Sequence, residues 1–184
     1  MFNLIIKINM FKTEMKLERL KKYVQREPND ELYTPEDAVK IILKYIPKNV
    51  KTIREPTAFE RADKIVQILE ENWYKVITSH IQEWKDFFNY EPNDYDMIIT
   101  NPPYSIKTEF LKRAYQLWKP FMFLLPTTTL EGKERTKLYS KYWIQLIIPN
   151  YRINFLKHKW KSSWFHTSWF CWNCWLDKDL NFII

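Results

Sequence analysis

Glycine is almost missing from this chain, which has one, Gly132, among 184 residues. Average usage predicts about 13 glycines and about two tryptophans, whereas the chain has nine tryptophans. Glycine-rich ligand loops need several glycines, because their backbone takes positive φ and approaches the ligand closely. The sequence therefore excludes a binding site built on a glycine-rich loop.

Five tryptophans stand where a helix end or a tight turn favours glycine: Trp73, Trp84, Trp118, Trp143 and Trp160. A bulky residue held at positive φ costs on the order of 1 to 2 kcal/mol. We hypothesise that some of them are glycines in the natural protein, encoded by a reassigned UGA codon that has been translated as tryptophan. The alternative is that the tryptophans are genuine and serve as stacking surfaces.

Cysteine and long apolar runs are scarce too. Cys171 and Cys174 form the single C-x-x-C, and one such pair supplies only two of the four ligands of a structural zinc. Because residues three apart on a strand face opposite sides, we expect two ordinary thiols and no metal site. Residues 1–10 are apolar and basic but shorter than the ~20 residues that span a bilayer, and they lack a cleavage site. This predicts a cytoplasmic protein that does not enter a membrane.

Positive charge and aromatic rings are abundant instead. The formal net charge is +7, which favours a partner that carries phosphates, such as DNA or RNA. Near the C-terminus, basic and aromatic residues alternate in a pattern that suits phosphate contacts and base stacking. A β-hairpin with one solvated face is the alternative explanation of this pattern. The nucleic-acid-binding candidates are Arg152, Lys157, Lys159, Lys161 and Trp164.

Strand-like and helix-like patterns alternate along most of the chain. Short apolar strands between amphipathic helices are typical of an α/β domain with a mainly parallel sheet covered on both faces. Residues 1–30 are predicted to be an N-terminal arm or peripheral helix, and residues 31–184 a single domain. The aromatic runs at 151–156 and 168–176 predict a C-terminal antiparallel β-hairpin. The other expected elements are strands at 50–56, 74–80, 95–101, 121–126 and 144–149, and helices at 35–46, 60–73, 107–118 and 133–142.

An apolar strand leads directly into Asn101, Pro102, Pro103 and Tyr104, and ligands of parallel sheets bind beyond such strand ends. The prolines fix φ and remove two N–H donors, which leaves the carbonyls of Asn101 and Pro102 as aimed acceptors. Two acceptors can hold both hydrogens of an amino group and keep its lone pair directed at an electrophile. Tyr104 adds a face on which a base stacks. Because an exocyclic amino group is out of reach inside a duplex, the pattern predicts a flipped or unpaired nucleotide.

This turn in its context resembles the catalytic [DNS]-P-P-[YFW] motif of the class I S-adenosylmethionine-dependent amino-methyltransferases, which methylate adenine N6 or cytosine N4. The resemblance covers roughly residues 31–184 and leaves no separate target-recognition domain. The run EWKDFFNYEPNDYDMIITNPPYS is similar to small bacteriophage-type adenine methyltransferases, which would place the protein in the host cytoplasm. The resemblance implies a Rossmann-like class I methyltransferase fold, S-adenosylmethionine as cofactor, and target recognition through few loops, substrate shape or a protein partner.

The resemblance also implies roles for individual residues. Asn101 and the Pro102 carbonyl would hold the target amine, while Tyr104, together with Phe110 or Trp164, would bracket the base. The cofactor would contact a motif beside its methionine end, the ends of the first two strands, and an acid-plus-aromatic pair at its adenine. In this sequence these are Tyr33, Thr34 and Pro35, then Glu55 and Pro56, then His80, and finally Asp86 with Phe87.

The sequence departs from the family pattern at two cofactor positions. Residues 53–62 contain Glu55 but none of the glycines that usually follow the first strand. His80 stands where an acid usually holds the ribose hydroxyls, although a neutral imidazole can also hydrogen-bond a hydroxyl. Two other interpretations therefore stay open. One is a degenerate fold that keeps the base pocket and the basic surface but binds no cofactor, and the other is a structural or partner-inhibiting protein.

Overall fold

The computed structural model describes residues 34–58, 63–80, 83–155 and 165–184. Within these ranges strands and helices alternate, as the sequence predicts. The strands are β1 (Thr52–Glu55), β2 (Lys75–Thr78), β3 (Met97–Thr100), β4 (Phe121–Pro126), β5 (Gln145–Pro149), β6 (Thr167–Trp172) and β7 (Leu180–Ile183). The α-helices are α1 (Glu36–Lys40), α2 (Lys64–Glu71), α3 (Lys107–Leu117) and α4 (Lys133–Tyr142), with 3-10 turns at Leu43–Tyr45, Tyr104–Ile106 and Thr127–Leu130.

The strands form one seven-stranded sheet in the order β2-β1-β3-β4-β6-β5-β7. β1 pairs in parallel with β2 and β3, β3 pairs in parallel with β4, and β5 pairs in parallel with β7. β6 is antiparallel to both of its neighbours, β4 and β5. The predicted α/β domain with a mainly parallel sheet is confirmed, and its antiparallel part is one strand inserted between β4 and β5.

Helices cover both faces of the sheet because successive strand residues point to opposite sides. Met122 and Leu124 of β4 belong to one buried cluster together with residues of α1 and α2. Phe121 of the same strand points the other way and packs edge-on against Tyr115 of α3, with ring centroids 5.2 Å apart. The wholly apolar sequence of β4 follows from this double burial.

The C-terminal part differs in detail from the prediction. Residues 151–155 form no strand, and Ile153 and Phe155 are buried as irregular chain. The antiparallel partners of β6 are therefore β4 and β5 rather than the run at 151–156. β7 is an additional edge strand that the sequence pattern does not predict.

The predicted arm at residues 1–30 lies outside the described residues and stays a prediction. Among the helices that the structure describes, none has both the length and the apolar content needed to cross a bilayer.

Candidate active site

Three parallel strands have their carboxyl ends at the same edge of the sheet, and polar residues lie at these strand ends. β1 ends at Glu55, β2 at Thr78 and β3 at Thr100. From the adjacent strands β1 and β3 the sheet extends in opposite directions, to β2 on one side and to β4 on the other. Ligands of open parallel sheets bind at such a switch point, outside the carboxyl ends of the strands.

Glu55 lies at the centre of this edge and is fully buried. Thr57 donates from its N–H to Oε2 at 2.7 Å and from Oγ1 to Oε1 at 2.8 Å. Ala58 N–H and the Thr100 hydroxyl donate to the same carboxyl group. The hydroxyl oxygens of Thr57 and Thr100 also lie 2.8 Å apart. The Glu55 side chain thus joins the loop after β1 to Thr100, which is the last residue of β3 and directly precedes Asn101.

Burial, assisted by the nearby charge of Asp63, raises the pKa of Glu55 to about 7, although hydrogen bonds from Thr100 and Thr57 lower it. Burial also raises the pKa of Asp63. Asp63 caps α2 by accepting a hydrogen bond from Ile65 N at 2.7 Å. Perturbed carboxyl groups at a strand end are typical of functional sites. In the described ranges no three His, Cys, Asp or Glu side chains come together as a metal site.

The Asn101–Tyr104 turn follows Thr100 directly. Asn101 is half-buried, whereas Pro102 and Pro103 are buried, so the asparagine lies at the boundary between the core and the strand edge. Tyr104 begins the 3-10 turn that leads into α3. Lys107 Nζ donates to the Tyr104 carbonyl at 2.8 Å, which braces the far end of the turn.

Tyr104 contacts two further rings that the sequence does not single out. It is edge-on to Phe155 and Phe165, with centroid distances of 6.4 Å and 5.8 Å, and these two rings stack on each other at 6.3 Å. We call these three residues the Tyr104 cluster. Phe155 precedes and Phe165 follows residues 156–164, which lie outside the described residues. Phe155 and Phe165 are therefore both held beside the Asn101–Tyr104 turn.

Asp86 shapes a turn next to β1. Its carboxylate accepts hydrogen bonds from Phe88 N at 3.2 Å and from Asn89 Nδ2 at 3.0 Å. The buried Arg54 of β1 donates from Nη2 to the Tyr90 carbonyl at 2.6 Å, and burial lowers the pKa of Arg54. The acid-plus-aromatic pair is thereby held against the strand that ends in Glu55.

The two rings of this turn have different surroundings. Phe87 is 2% exposed, stacks on Phe110 with centroids 4.7 Å apart, and has the Arg54 guanidinium 5.0 Å from its centroid. The core encloses this ring, so Phe87 offers no face on which an adenine could stack, and the predicted contact of the Asp86–Phe87 pair with the cofactor stays a prediction. Phe110 is fully buried as well, so its ring has no exposed face in this structure that a base could contact. Phe88 is half-buried and is the ring of this turn with exposed surface.

The end of β2 presents a hydroxyl group and an imidazole where the family pattern has an acid. Ser79 N–H donates to the Glu55 carbonyl at 3.1 Å, and its side chain is fully buried. Ser79 Oγ has no hydrogen-bond partner among the described residues. Such a group is costly to leave unpaired, which makes Ser79 a ligand candidate that the sequence does not mark. His80 follows it and is half-buried.

The N-terminal motif is described only in part. Thr34 is buried, and α1 begins at Glu36 with Pro35 as the N-cap residue and no side-chain capping bond. Pro56 is buried beside Glu55. Arg152 is exposed and lies three residues before Phe155 in the sequence. The remaining predicted site residues lie outside the described ranges: Tyr33, Lys157, Lys159, Lys161 and Trp164.

Cys171 and Cys174 are buried free thiols. The expectation that they face opposite sides is wrong, because the chain turns at Asn173, whose φ is 55°, and both enter the same buried cluster. Burial and the neighbouring Cys174 raise the pKa of Cys171 well above its usual range. A thiol in this environment is a poor nucleophile.

No family model and no curated protein matches this chain in sequence. A proposed class I S-adenosylmethionine-dependent methyltransferase from Listeria monocytogenes matches in structure with a TM-score of 0.51 and 15% identity, over 91% of this chain and 70% of that one. A proposed RNA methyltransferase from Pyrococcus horikoshii gives 0.46 and 14%, over 79% and 88%. A modification subunit of a proposed type I restriction enzyme from Vibrio vulnificus YJ016 gives 0.45 and 11%, over 86% of this chain and 48% of that one.

The strand order and the first of these similarities define the architecture. This chain has the Rossmann-like fold of the class I methyltransferases, as the Asn101–Tyr104 motif predicts. At this level of identity the similarity concerns the fold alone, and the chemistry rests on the residues at the strand edge.

Proposed function

We propose that the protein is an S-adenosylmethionine-dependent methyltransferase that acts on an exocyclic amino group of a nucleic-acid base, with adenine N6 as the main target. One observation carries the proposal. The Asn101–Tyr104 turn leaves the carboxyl end of β3 beside β1, and the residue before it donates to the buried Glu55 of a class I methyltransferase fold. A tight turn without a function would require neither this position beside β1 nor the hydrogen bond from Thr100 to Glu55.

The polar groups at the ends of β1 and β2 fit a nucleoside cofactor. Ser79 offers a buried hydroxyl, and His80 beside it can hydrogen-bond another hydroxyl. Glu55 already accepts four hydrogen bonds, so its role is to shape the loop rather than to contact the ligand. When bound, S-adenosylmethionine would supply a methyl group already activated on sulfonium. We assign Ser79 and His80 to the ribose, the Asp86 turn to the adenine, and Tyr33, Thr34 and Pro35 to the methionine end.

The chain itself has to position the amine. The Asn101 side-chain carbonyl and the Pro102 carbonyl accept its two hydrogens and leave the nitrogen lone pair directed outward. Buried prolines and the Lys107 brace keep these acceptors fixed. Tyr104 supplies the ring against which the base stacks. The reaction needs no covalent nucleophile of the protein.

The substrate must present an unpaired or flipped base. The net charge of +7 and the exposed Arg152 support contacts to phosphates. Phe155 and Phe165, which flank residues 156–164 in the sequence, contact Tyr104, and this supports our proposal that Lys157, Lys159, Lys161 and Trp164 bind nucleic acid. DNA and RNA both satisfy this chemistry. We propose that target choice depends on a few loops, on substrate shape or on a partner protein.

Transfer of tritium from methyl-labelled S-adenosylmethionine to single-stranded and duplex DNA and RNA tests the proposal. The protein should label single strands more than duplexes, with the label on adenine after digestion. Asn101→Ala should lose the labelling. Asn49→Ala is the matched control, because Asn49 is exposed and lies before β1, at the opposite end of the strand. Absence of label from all substrates, in a folded protein that binds the cofactor, would refute the activity.

A cofactor-free nucleic-acid-binding or interaction module is the second candidate. The lack of glycine in residues 53–62 and the presence of His80 after β2 favour it. Titration calorimetry separates the two candidates. Heat of binding with S-adenosylmethionine supports the enzyme, whereas retained oligonucleotide binding without any such heat supports the module.

A further inference from the structure

The tryptophans among the described residues divide into two groups by backbone conformation. One group has positive φ, in the left-handed region that residues with a Cβ rarely adopt. Its side chains are all exposed, from 46% for Trp143 to 96% for Trp73. The group consists of Trp73 (φ 68°), Trp84 (φ 61°), Trp118 (φ 55°), Trp143 (φ 67°) and Trp175 (φ 56°).

The second group, Trp169 and Trp172, lies in β6 and is buried. Trp169 Nε1 donates to the Ala38 carbonyl at 2.9 Å, and Trp172 Nε1 donates to the Tyr142 carbonyl at 2.7 Å. A large buried ring with a paired N–H is the role for which tryptophan is suited. Both positions therefore require the tryptophan that stands there.

Trp73 occupies a position that is built for glycine. It follows Asn72, the C-cap residue of α2. Its N–H donates to the Glu70 carbonyl, and Tyr74 N–H donates to the Leu69 carbonyl, both at 3.1 Å. These two bonds define a Schellman motif, whose left-handed residue is most often glycine. The ring of Trp73 is almost fully exposed, so its burial does not offset the backbone strain of a positive φ.

Trp143 and Trp118 end the next two helices of the chain in related ways. Trp143 follows α4 with φ 67° and ψ 165°, a region that is essentially restricted to glycine. Trp118 ends α3 with φ 55° and ψ 32°. Their rings do make contacts, including a 3.1 Å bond from Trp143 Nε1 to Asp179 and an edge-on contact of Trp118 with Trp172 at 5.1 Å. Both rings stay exposed despite these contacts, which therefore do not select tryptophan over glycine.

The remaining residues at positive φ in the described ranges are of the types that usually adopt this conformation, namely glycine, asparagine and aspartate. Asp94 and Asn173 are of the types that enter this region at least cost, and Gly132 has φ 102°. Tryptophan is the exception, and it takes a positive φ five times in a chain with one glycine. We infer that the natural polypeptide carries glycine at positions 73, 84, 118, 143 and 175, encoded by UGA codons that its host reads as glycine. Tryptophan is retained at 169 and 172.

Peptide mass spectrometry of the protein from its natural host, together with the nucleotide sequence of the gene, tests this inference directly. Glycine is expected at the five positions with UGA codons, and tryptophan with UGG codons at positions 169 and 172. Expression of the unaltered gene in a bacterium with the standard code should stop after residue 72, because UGA terminates translation there. Tryptophan in the natural peptides, or UGG codons at the five positions, overturns the inference.

Equilibrium unfolding in urea tests the physical argument behind it. Trp73→Gly should move the midpoint to higher urea. Trp73→Ala is the matched control, because it removes the same ring but keeps a Cβ at positive φ, and it should gain less. Trp172→Gly should move the midpoint to lower urea. If the alanine variant gains as much as the glycine variant, or if Trp73→Gly lowers the midpoint, the backbone does not select glycine at this position.

Discussion

Glutamine in place of Glu55 separates the charge of this buried group from its shape. Burial raises the pKa of Glu55 from an ordinary value of 4.5 to about 7, so the folded protein holds the proton more tightly than the unfolded chain. One pKa unit corresponds to about 1.4 kcal/mol, and ionising Glu55 in the fold therefore costs on the order of 3 kcal/mol. The cost is absent at low pH, grows as the pH rises through the unfolded pKa, and is complete above the folded pKa.

The Glu55→Gln variant should therefore be more stable than the wild type above neutral pH, and the gain should shrink as the pH falls. Glutamine can keep the geometry, because its carbonyl oxygen can accept from the Thr57 and Ala58 N–H groups while its amide donates to the hydroxyl oxygens. Urea unfolding of both proteins from about pH 4 to about pH 8 should give a stability difference that changes by on the order of 3 kcal/mol. A difference that does not vary with pH would refute the raised pKa.

Asp63→Asn provides the control for the charge that acts on Glu55. Asparagine caps a helix about as well as aspartate does, so the bond to Ile65 N is expected to remain. Removal of the nearby negative charge should lower the pKa of Glu55. In the Asp63→Asn background, the stability difference between glutamate and glutamine at position 55 should then develop over a lower pH range. An unchanged pH range would show that the charge of Asp63 does not contribute to the raised pKa of Glu55.

Three further substitutions test the site and the frame that carries it. Asn101→Ala should abolish methyl transfer while the urea midpoint stays near that of the wild type, and an active variant would contradict the amine-holding role. Asp96 accepts hydrogen bonds from two backbone N–H groups at the start of β1, each at 2.8 Å, and these bonds lower its pKa. Its stabilising contribution is therefore lost as the pH falls through this lowered pKa, and Asp96→Asn should remove that acid dependence from urea unfolding. Trp169→Phe loses the Nε1 bond to α1 and should cost on the order of 1 to 3 kcal/mol of unfolding free energy.

The order and type of most described elements follow from the sequence, because apolar strands and amphipathic helices have different periods. The bounds of β4 and α4 coincide with the predicted 121–126 and 133–142. Residues 151–155 differ from the predicted strand, because Ile153 and Phe155 alternate as they would in a strand but are buried without strand pairing. β7 is missed because its exposed edge position gives it alternate exposed and half-buried residues rather than an apolar run.

The sequence predicts those parts of the site that are formed by neighbouring residues. It does not predict contacts that arise when two strands pair. The Asn101–Tyr104 turn could be placed at a strand end because it directly follows an apolar run, and Glu55 because Pro56 ends the strand-like segment 50–56. The Thr100 bond to Glu55 joins residues 45 positions apart, and parallel pairing of β1 with β3 creates it. The sequence does not tell which of the adjacent rings Phe87 and Phe88 points into the core, and the structure buries Phe87.

The exposed tryptophans also bear on where a base can stack. Trp73 precedes β2, Trp118 precedes β4 and Trp143 precedes β5, so all three lie where parallel strands begin. Trp175 follows β6, whose last residue, Trp172, pairs with the first residue of β4, so it belongs to the same edge. Asn101 stands at the opposite edge, where the strands end. Whether these four residues are tryptophan or glycine, they cannot contact a base held by Asn101. Under the proposed function, the described ring beside the turn that would stack on the base is Tyr104.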